Sequence, residues 1–93
     1  MTHIRVAVIG TGYWGKNLVR VFSEIGNLGA ICDSNIDNAK PLSEKYDVPI
    51  LSFEEVIDNK EIQGVVIAAP AVMHYEIAKK ALLAGKHVFV EKP

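Results

Sequence analysis

A glycine-rich turn stands near the start of the sequence. Gly10, Gly12 and Gly15 follow the apolar run Val6–Ile9 with the spacing G-x-G-x-x-G. In a strand–turn–helix unit, Gly10 allows the tight turn, Gly12 lets a pyrophosphate approach the backbone, and Gly15 lets the helix pack close to the strand. The N-terminus of that helix would offer free N–H groups and the positive end of its dipole to phosphates. A turn that only connects a strand to a helix is the alternative, and the helix pattern and the acid farther along argue against it.

An acidic residue follows the second predicted strand. Asp33 comes directly after the apolar run 28–32, where its carboxylate would reach the adenosine ribose of a dinucleotide. It could accept hydrogen bonds from both ribose hydroxyls, each worth about 1.5–3 kcal/mol. A 2′-phosphate would be repelled there, and the next residues, Ser34 and Asn35, include no arginine to receive it. The sequence therefore favours NAD over NADP, while a role for Asp33 in capping the next helix is a compatible alternative.

Two later strand ends also carry residues that could take part in chemistry, because ligands of open α/β sheets bind beyond the carboxyl ends of the strands. Pro70 would stiffen the exit of one strand, and His74 stands in the first turn of the next helix, where it either faces a ligand or is solvated. Lys92 follows the last predicted strand and is held extended by Pro93. Burial there would make the lysine charge costly, so Lys92 is a candidate proton donor or acceptor. Judged by position alone, an ordinary surface lysine is the simpler interpretation.

Alternating apolar runs and helical patterns would position these residues. The predicted strands are 4–9, 28–32, 48–51, 64–69 and 86–90, and the predicted helices are 14–25, 36–46, 53–58 and 72–83. Pro41 predicts that the second helix either begins late, near Asn38, or kinks. Strands that are apolar on both faces and alternate with helices indicate a parallel sheet covered on both sides. Right-handed crossovers then give an α/β fold with a doubly wound (Rossmann) sheet in the order 3-2-1-4-5, truncated after the fifth strand.

The composition excludes several classes of protein. Hydrophobic residues make up 49% and charged residues 23% of the 93 residues, and these values are typical of one soluble globular domain. Acids and bases are mixed along the chain with a net charge of −1, so neither a nucleic acid nor a membrane partner is expected. One cysteine, Cys32, predicts no disulfide and no metal site, and it fits a reducing cytoplasm. Neither a signal peptide nor a membrane span is expected.

Three segments in the second half resemble a known family. They read APxxxH at 69–74, ALxAGKHV at 81–88 and EKP at 91–93. Together with the glycine turn, they make the chain similar over 1–93 to the N-terminal NAD(P)-binding domain of the Gfo/Idh/MocA oxidoreductases. The run GYWGKN at 12–17 most resembles members that act on nucleotide-linked sugars, such as UDP-N-acetylglucosamine-type 3-dehydrogenases.

The resemblance implies a role for each candidate residue. The cofactor pyrophosphate would lie against five consecutive residues, Gly10, Thr11, Gly12, Tyr13 and Trp14, with Gly15 completing the motif. Asp33 would bind the adenosine ribose. Pro70 and His74 would line the cofactor cleft, and Glu91 would contact the nicotinamide-ribose end. Lys92 would hydrogen-bond the substrate hydroxyl and help move its proton, which makes it the candidate catalytic residue.

The resemblance also implies features that lie beyond these residues. A C-terminal substrate domain, absent from this chain, would supply the pocket for a sugar, nucleotide sugar or polyol and further acid/base residues in an Asp-x-x-x-His pattern. Residues 1–93 alone are therefore not expected to turn over substrate, and the full-length protein is expected to be a homo-oligomer. The last strand would be an unprotected sheet edge that promotes association.

Two other functions remain open at this point. An NAD-dependent glycosidase of the same fold would use the cofactor to oxidise a sugar carbon transiently before the glycosidic bond is broken. A non-catalytic dinucleotide-binding module or redox sensor would bind the cofactor without turnover. The dehydrogenase is favoured over the module because Lys92 has no structural need to stand where it does.

Overall fold

The computed structural model describes residues 4–68 and 73–90, without the side chains of Tyr13 and Trp14. In chain order, its strands and helices are β1 (Val6–Ile9), α1 (Tyr13–Glu24), β2 (Leu28–Cys32), α2 (Ile36–Tyr46), α3 (Phe53–Asp58), β3 (Gly64–Ile67), α4 (His74–Leu83) and β4 (His87–Val90). Within the described ranges the four strands form one parallel sheet in the order β2-β1-β3-β4. The predicted parallel α/β sheet is confirmed.

The predicted number of strands is wrong for the part of the chain that is described. Segment 48–51 lies beside β2, as the predicted order requires, but it makes only an isolated parallel bridge between Ile50 and Ile31. Pro49 has no N–H to donate to a ladder, and the Val48 N–H and C=O are both engaged by Ser43 at the end of α2. Two hydrogen bonds to Ile31 remain, one from its N–H to the Pro49 oxygen (3.0 Å) and one to its oxygen from the Leu51 N–H (2.8 Å).

The strands are buried on both faces because their side chains alternate between two separate apolar clusters. One face of β1 places Ala7 and Ile9 in a cluster with α4 and α3, and the other places Val6 and Val8 in a cluster with α1 and α2. All four β1 residues and all four β3 residues are buried. This double coverage explains why the strands read as continuous apolar runs.

Helix boundaries follow local capping. α2 begins at Ile36, because the Asn35 side chain accepts a hydrogen bond from the Asp37 N–H at 3.0 Å. The prediction of a late start near Asn38 is therefore wrong, and Pro41 lies inside the helix. Pro41 has no N–H to donate to the carbonyl oxygen of Asp37. Asp37 is an exposed residue, so water can take the place of the missing donor.

The short third helix is confirmed, and a capping box marks its start. The Ser52 hydroxyl accepts from the Glu55 N–H at 3.1 Å, and the Glu55 carboxylate accepts from the Ser52 N–H at 2.8 Å. The helix it starts carries Val56 into the core beneath the sheet.

A buried lysine closes the end of the sheet opposite the glycine turn. Lys86 precedes β4 and is 8% exposed. Its Nζ donates to the main-chain oxygens of Asn59 at 2.9 Å and Ile62 at 2.7 Å. Sequence analysis predicted only that Lys86 begins a strand. It missed these hydrogen bonds because the two partners lie 24 and 27 positions away.

Candidate functional site

The glycine turn, Asp33 and the end of β3 meet at one edge of the sheet. Ile9 is in register with Cys32 of β2 and with Ile67 of β3, so the carboxyl ends of these three strands are level. Hydrogen bonds from Gly10 N–H to Cys32 O and from Ala68 N–H to Ile9 O, both 2.8 Å, extend the pairing beyond the strands. The chain passes from β1 to β2 on one side and returns to β3 on the other, so this edge is the switch point where open α/β sheets bind ligands.

Two glycines of the turn have the conformational roles that the sequence predicted. Gly10 has φ of 95°, which favours glycine. A Cβ at Gly15 would lie 2.0 Å from the Gly10 oxygen, so α1 could not approach β1 this closely with any other residue. The tight turn and the close helix–strand packing are therefore confirmed.

Gly12 is different, because neither its backbone nor its neighbours require a glycine. Its φ is −71°, and an added Cβ would meet nothing within 4 Å among the described atoms. A methyl group there would project into open space in front of α1. Space kept free at this point fits the approach of a phosphate group, which stays a prediction.

The N-terminus of α1 also fits an anion. Gly12 is its N-cap and supplies no side-chain hydrogen bond, and the first turn holds no acidic residue. By contrast, α2 and α3 are capped by the side chains of Asn35 and Ser52. The first N–H groups of α1 thus carry the positive end of the dipole of a 12-residue helix without a capping side chain.

Asp33 is bound to the glycine turn by Thr11. The Thr11 N–H donates to Asp33 Oδ2 at 2.8 Å, and the Thr11 hydroxyl donates to the same oxygen. The Asn35 N–H donates to Oδ1 at 2.8 Å. Partial burial would raise the pKa of Asp33, but the hydrogen bonds from the Thr11 hydroxyl, the Asn35 N–H and the Thr11 N–H outweigh it and hold that pKa below its ordinary value. Asp33 is therefore a carboxylate at neutral pH, as a ribose-binding residue should be.

Sequence reasoning placed Thr11 and Asp33 in one site but missed their direct contact. They stand 22 positions apart, and only the parallel pairing of β1 with β2 brings them together. The signal that could have found the contact is a hydroxyl residue between the first two glycines combined with an acid at the end of the next strand.

Cys32, beside Asp33, is a core residue. It is buried at the end of β2, and burial, followed by the negative charges of Asp33 and Glu54, raises its pKa to about 11. The thiol is therefore neutral and unsuited to nucleophilic chemistry. Cys32 packs as a small apolar residue in the cluster with α3 and α4.

The other candidate residues are placed only in part. His74 is the first residue of α4 and is half-buried, at the helix end that follows the β3 edge of the sheet. Pro70, Glu91 and Lys92 lie outside the described residues, as do the side chains of Tyr13 and Trp14. Their predicted roles stay predictions.

The described residues hold neither a metal cluster nor a membrane-spanning helix, and a groove lies away from the glycine turn. Residues 4–68 and 73–90 contain no group of three metal-binding side chains. No described helix has both the length and the apolar character needed to cross a bilayer. A groove of about 400 Å³ between α3 and α4 contains none of the glycine-turn residues, and it is lined by Phe53, Glu54, Ile57, Asp58, Lys80, Leu83 and Ala84.

Comparison with known proteins agrees with this geometry. The model of the oxidoreductase family with an NAD-binding Rossmann fold, GFO_IDH_MocA, matches residues 4–93. A glycosyl hydrolase family 109 protein of Shewanella sp. (strain ANA-3) is 35% identical over 100% of this chain and 23% of its own length. The chain spans about a quarter of the length of the curated relatives it matches.

Two solved structures resemble the chain closely. The UDP-N-acetylglucosamine 3-dehydrogenase of Acidithiobacillus ferrooxidans superposes with a TM-score of 0.89 and 29% identity, over 100% of this chain and 31% of that one. A 3-ketoreductase of Actinomadura kijaniata, solved with NADP and TDP-benzene, gives a TM-score of 0.88 and 29% identity over 99% and 30%. The similar proteins thus include one enzyme named for a nucleotide sugar and one solved with NADP.

Proposed function

Since this chain belongs to the Gfo/Idh/MocA oxidoreductase family, we propose that residues 1–93 are the dinucleotide-binding domain of an NAD-dependent dehydrogenase or reductase. The observation that carries the proposal is the single edge where the uncapped N-terminus of α1, the open space at Gly12 and the Asp33 carboxylate lie together. When bound, the cofactor exchanges a hydride with the hydroxyl-bearing carbon of a sugar, nucleotide sugar or polyol. This chain binds and orients it.

The described residues bind two parts of the dinucleotide, its charged pyrophosphate and its neutral adenosine ribose. The N–H groups of the first turn of α1 bind the pyrophosphate, and the turn from Gly10 to Gly15 supplies the close approach. Asp33 accepts a hydrogen bond from the adenosine ribose at the free position of its Oδ1. As the family resemblance implies, Pro70 and His74 line the cofactor cleft, and Glu91 contacts the nicotinamide-ribose end.

Asp33 favours NAD over NADP. A 2′-phosphate placed against an ionised carboxylate is repelled, and the hydrogen bonds from Thr11 and Asn35 keep that carboxylate ionised. Because a similar structure contains NADP, family membership does not choose between the two cofactors, and the local charge must decide.

Isothermal titration of the natural-length protein with NAD and with NADP tests this proposal. We expect tighter binding of NAD, and we expect Asp33→Ala to weaken it by about tenfold to a hundredfold, the equivalent of one charge-assisted hydrogen bond. Asp37→Ala, which removes an exposed carboxylate from the start of α2, is the matched control. Affinity for NAD that is the same in both variants would remove Asp33 from the site.

The chemical step is assigned to Lys92 and to a C-terminal substrate domain. Lys92 hydrogen-bonds the substrate hydroxyl and moves its proton, and the second domain supplies the substrate pocket. The relative named for a nucleotide sugar, a UDP-N-acetylglucosamine 3-dehydrogenase, supports this substrate class. In the natural-length enzyme, Lys92→Ala should lower kcat far more than it lowers NAD affinity, and a kcat close to that of the unaltered enzyme would make Lys92 a surface residue. Cytoplasmic location and homo-oligomeric assembly are part of the same proposal.

An NAD-dependent glycosidase is the second candidate, because a glycosyl hydrolase family 109 protein is 35% identical over this chain. Product analysis separates the two enzymes. Release of an aglycone without net NADH indicates the hydrolase, and accumulation of NADH with an oxidised sugar indicates the dehydrogenase. Binding of NAD without turnover of any glycoside, sugar or polyol would indicate the non-catalytic module instead.

A further inference from the structure

We propose that Thr11 is a positioning residue, which fixes the Asp33 carboxylate for the ribose and thereby sets the preference for a dinucleotide without a 2′-phosphate. The inference rests on the proposed function and deepens it. It assigns to one side chain in the phosphate-binding turn a second task at the ribose end of the cofactor.

The Asp33 carboxylate has most of its acceptor positions occupied by donors within the chain. A carboxylate offers about four acceptor positions. Three are taken within the chain, two on Oδ2 by the Thr11 N–H and hydroxyl, and one on Oδ1 by the Asn35 N–H. The remaining position is on Oδ1, so Thr11 decides which oxygen is presented to a ligand.

Thr11 itself is buried. It is 1% exposed, although Gly12 beside it is exposed and Asp33 is half-exposed. A buried hydroxyl must have a partner, and the partner here is Asp33. Because Thr11 is β-branched, its χ1 angle is restricted, so the hydroxyl does not swing freely to another acceptor.

A carboxylate fixed in this way affects the choice between NAD and NADP. Two donors on one oxygen oppose rotation of the Asp33 carboxyl group, and they favour its charged form. A ligand with a 2′-phosphate therefore meets a fixed negative charge that can neither turn away nor take up a proton easily. Without the Thr11 hydroxyl, the Asp33 carboxyl group turns more freely. Its hydrogen bond to the ribose then weakens, and a 2′-phosphate is repelled less.

Thr11→Val and Thr11→Ser test the proposal in the natural-length protein. Valine keeps the shape, the β-branch and the N–H but removes the hydroxyl, whereas serine keeps the hydroxyl. Titration with NAD should show a loss of about tenfold in affinity for valine, the equivalent of one hydrogen bond to a charged group, and little loss for serine. The loss in NADP affinity should be smaller, so the ratio of the two affinities narrows.

Two readouts separate positioning from a merely structural role. In an Asp33→Asn background, Thr11→Val should cost little further NAD affinity, because the effect of Thr11 passes through the carboxylate. As pH falls, Thr11→Val should lose NAD affinity at a higher pH than the unaltered protein, because the lost hydrogen bond had favoured the charged carboxylate. If Thr11→Val fails to fold, Thr11→Ala gives the same comparison.

Each outcome decides a separate question. NAD affinity that is unchanged or tighter in Thr11→Val, with an unaltered protein that binds NAD, overturns the inference and leaves the proposed function standing. Tighter binding would mean that the hydroxyl competes with the ribose for Asp33. An unaltered protein that binds neither NAD nor NADP overturns the proposed function itself, and the inference with it.

Discussion

Gly12 and Gly15 differ by only three positions, but a methyl group has opposite consequences at the two sites. At Gly15 it would overlap the Gly10 oxygen, whereas at Gly12 it would enter open space. We expect Gly15→Ala to lower the thermal unfolding temperature markedly, because the helix and the turn must separate. We expect Gly12→Ala to leave that temperature nearly unchanged and to weaken NAD binding.

Calorimetry on both variants, combined with NAD titration of Gly12→Ala, checks this pair. Loss of stability in Gly12→Ala would show that the open space is filled by the protein itself. Full NAD affinity in Gly12→Ala would remove the phosphate from the front of α1.

The Asp33 carboxylate should also make stability depend on pH. Partial burial raises its pKa, but the hydrogen bonds from Thr11 and Asn35 hold it below the value of an unfolded chain, about 3.9. The stabilisation is then fully present above that unfolded value and is lost as the pH falls through the lower folded one. Urea unfolding between about pH 3 and pH 7 should show a steeper acid loss in the unaltered protein than in Asp33→Asn, which does not titrate. Parallel curves would show that Asp33 is not selectively stabilised as an anion.

At the scale of elements, prediction from sequence succeeded where local pattern decides. β1 and β3 are short runs rich in valine and isoleucine, and α3 carries a complete capping box, so each was predicted from a few adjacent residues. The prediction failed at segment 48–51, where Pro49 and hydrogen bonds to the end of α2 limit an apolar run to an isolated bridge with β2. The Thr11–Asp33 contact was missed because it depends on the register between β1 and β2 as well as on residue type.

The hydrogen bonds from the Lys86 side chain to the main chain are also invisible to local sequence pattern. They should stabilise the loop between α3 and β3. Lys86→Met removes the donor of two main-chain oxygens while keeping the apolar stem, so it should lower the free energy of unfolding by about 1–3 kcal/mol. Urea unfolding measures the change. Lys40→Met, at an exposed position in α2, is the control and should alter stability by less than about 0.5 kcal/mol. Equal effects in the two variants would mean that the buried ammonium contributes nothing.

At the scale of the whole molecule, the sheet is covered unevenly. Residues of β1 and β3 are buried, whereas β4 lies at the end of the described strand order and is mostly exposed, with Phe89 at 50% and Val90 at 46%. An exposed apolar edge strand is a template for pairing with another chain. The sequence predicted this edge, and the described strand order agrees.

A polypeptide of residues 1–93 should therefore self-associate. Sedimentation velocity across a concentration series should show oligomers that Phe89→Lys reduces, because a charge on an edge strand opposes pairing. Ile36→Lys, at an exposed apolar position of α2 away from this edge, should leave association unchanged. A monomer at every concentration would show that the β4 edge does not mediate self-association.

The buried position of Cys32 gives the chain an internal measure of how often its sheet opens. Only the thiolate reacts with an alkylating reagent, and with a pKa of about 11 and a buried sulfur, Cys32 should be modified only during openings that expose the end of β2. The rate of labelling at a fixed pH then reports the population of the opened state. Because the next residue is Asp33, a dinucleotide bound there should slow the labelling of Cys32. Mass-spectrometric time courses without and with the dinucleotide would then report how often the sheet opens and whether the neighbouring site is occupied.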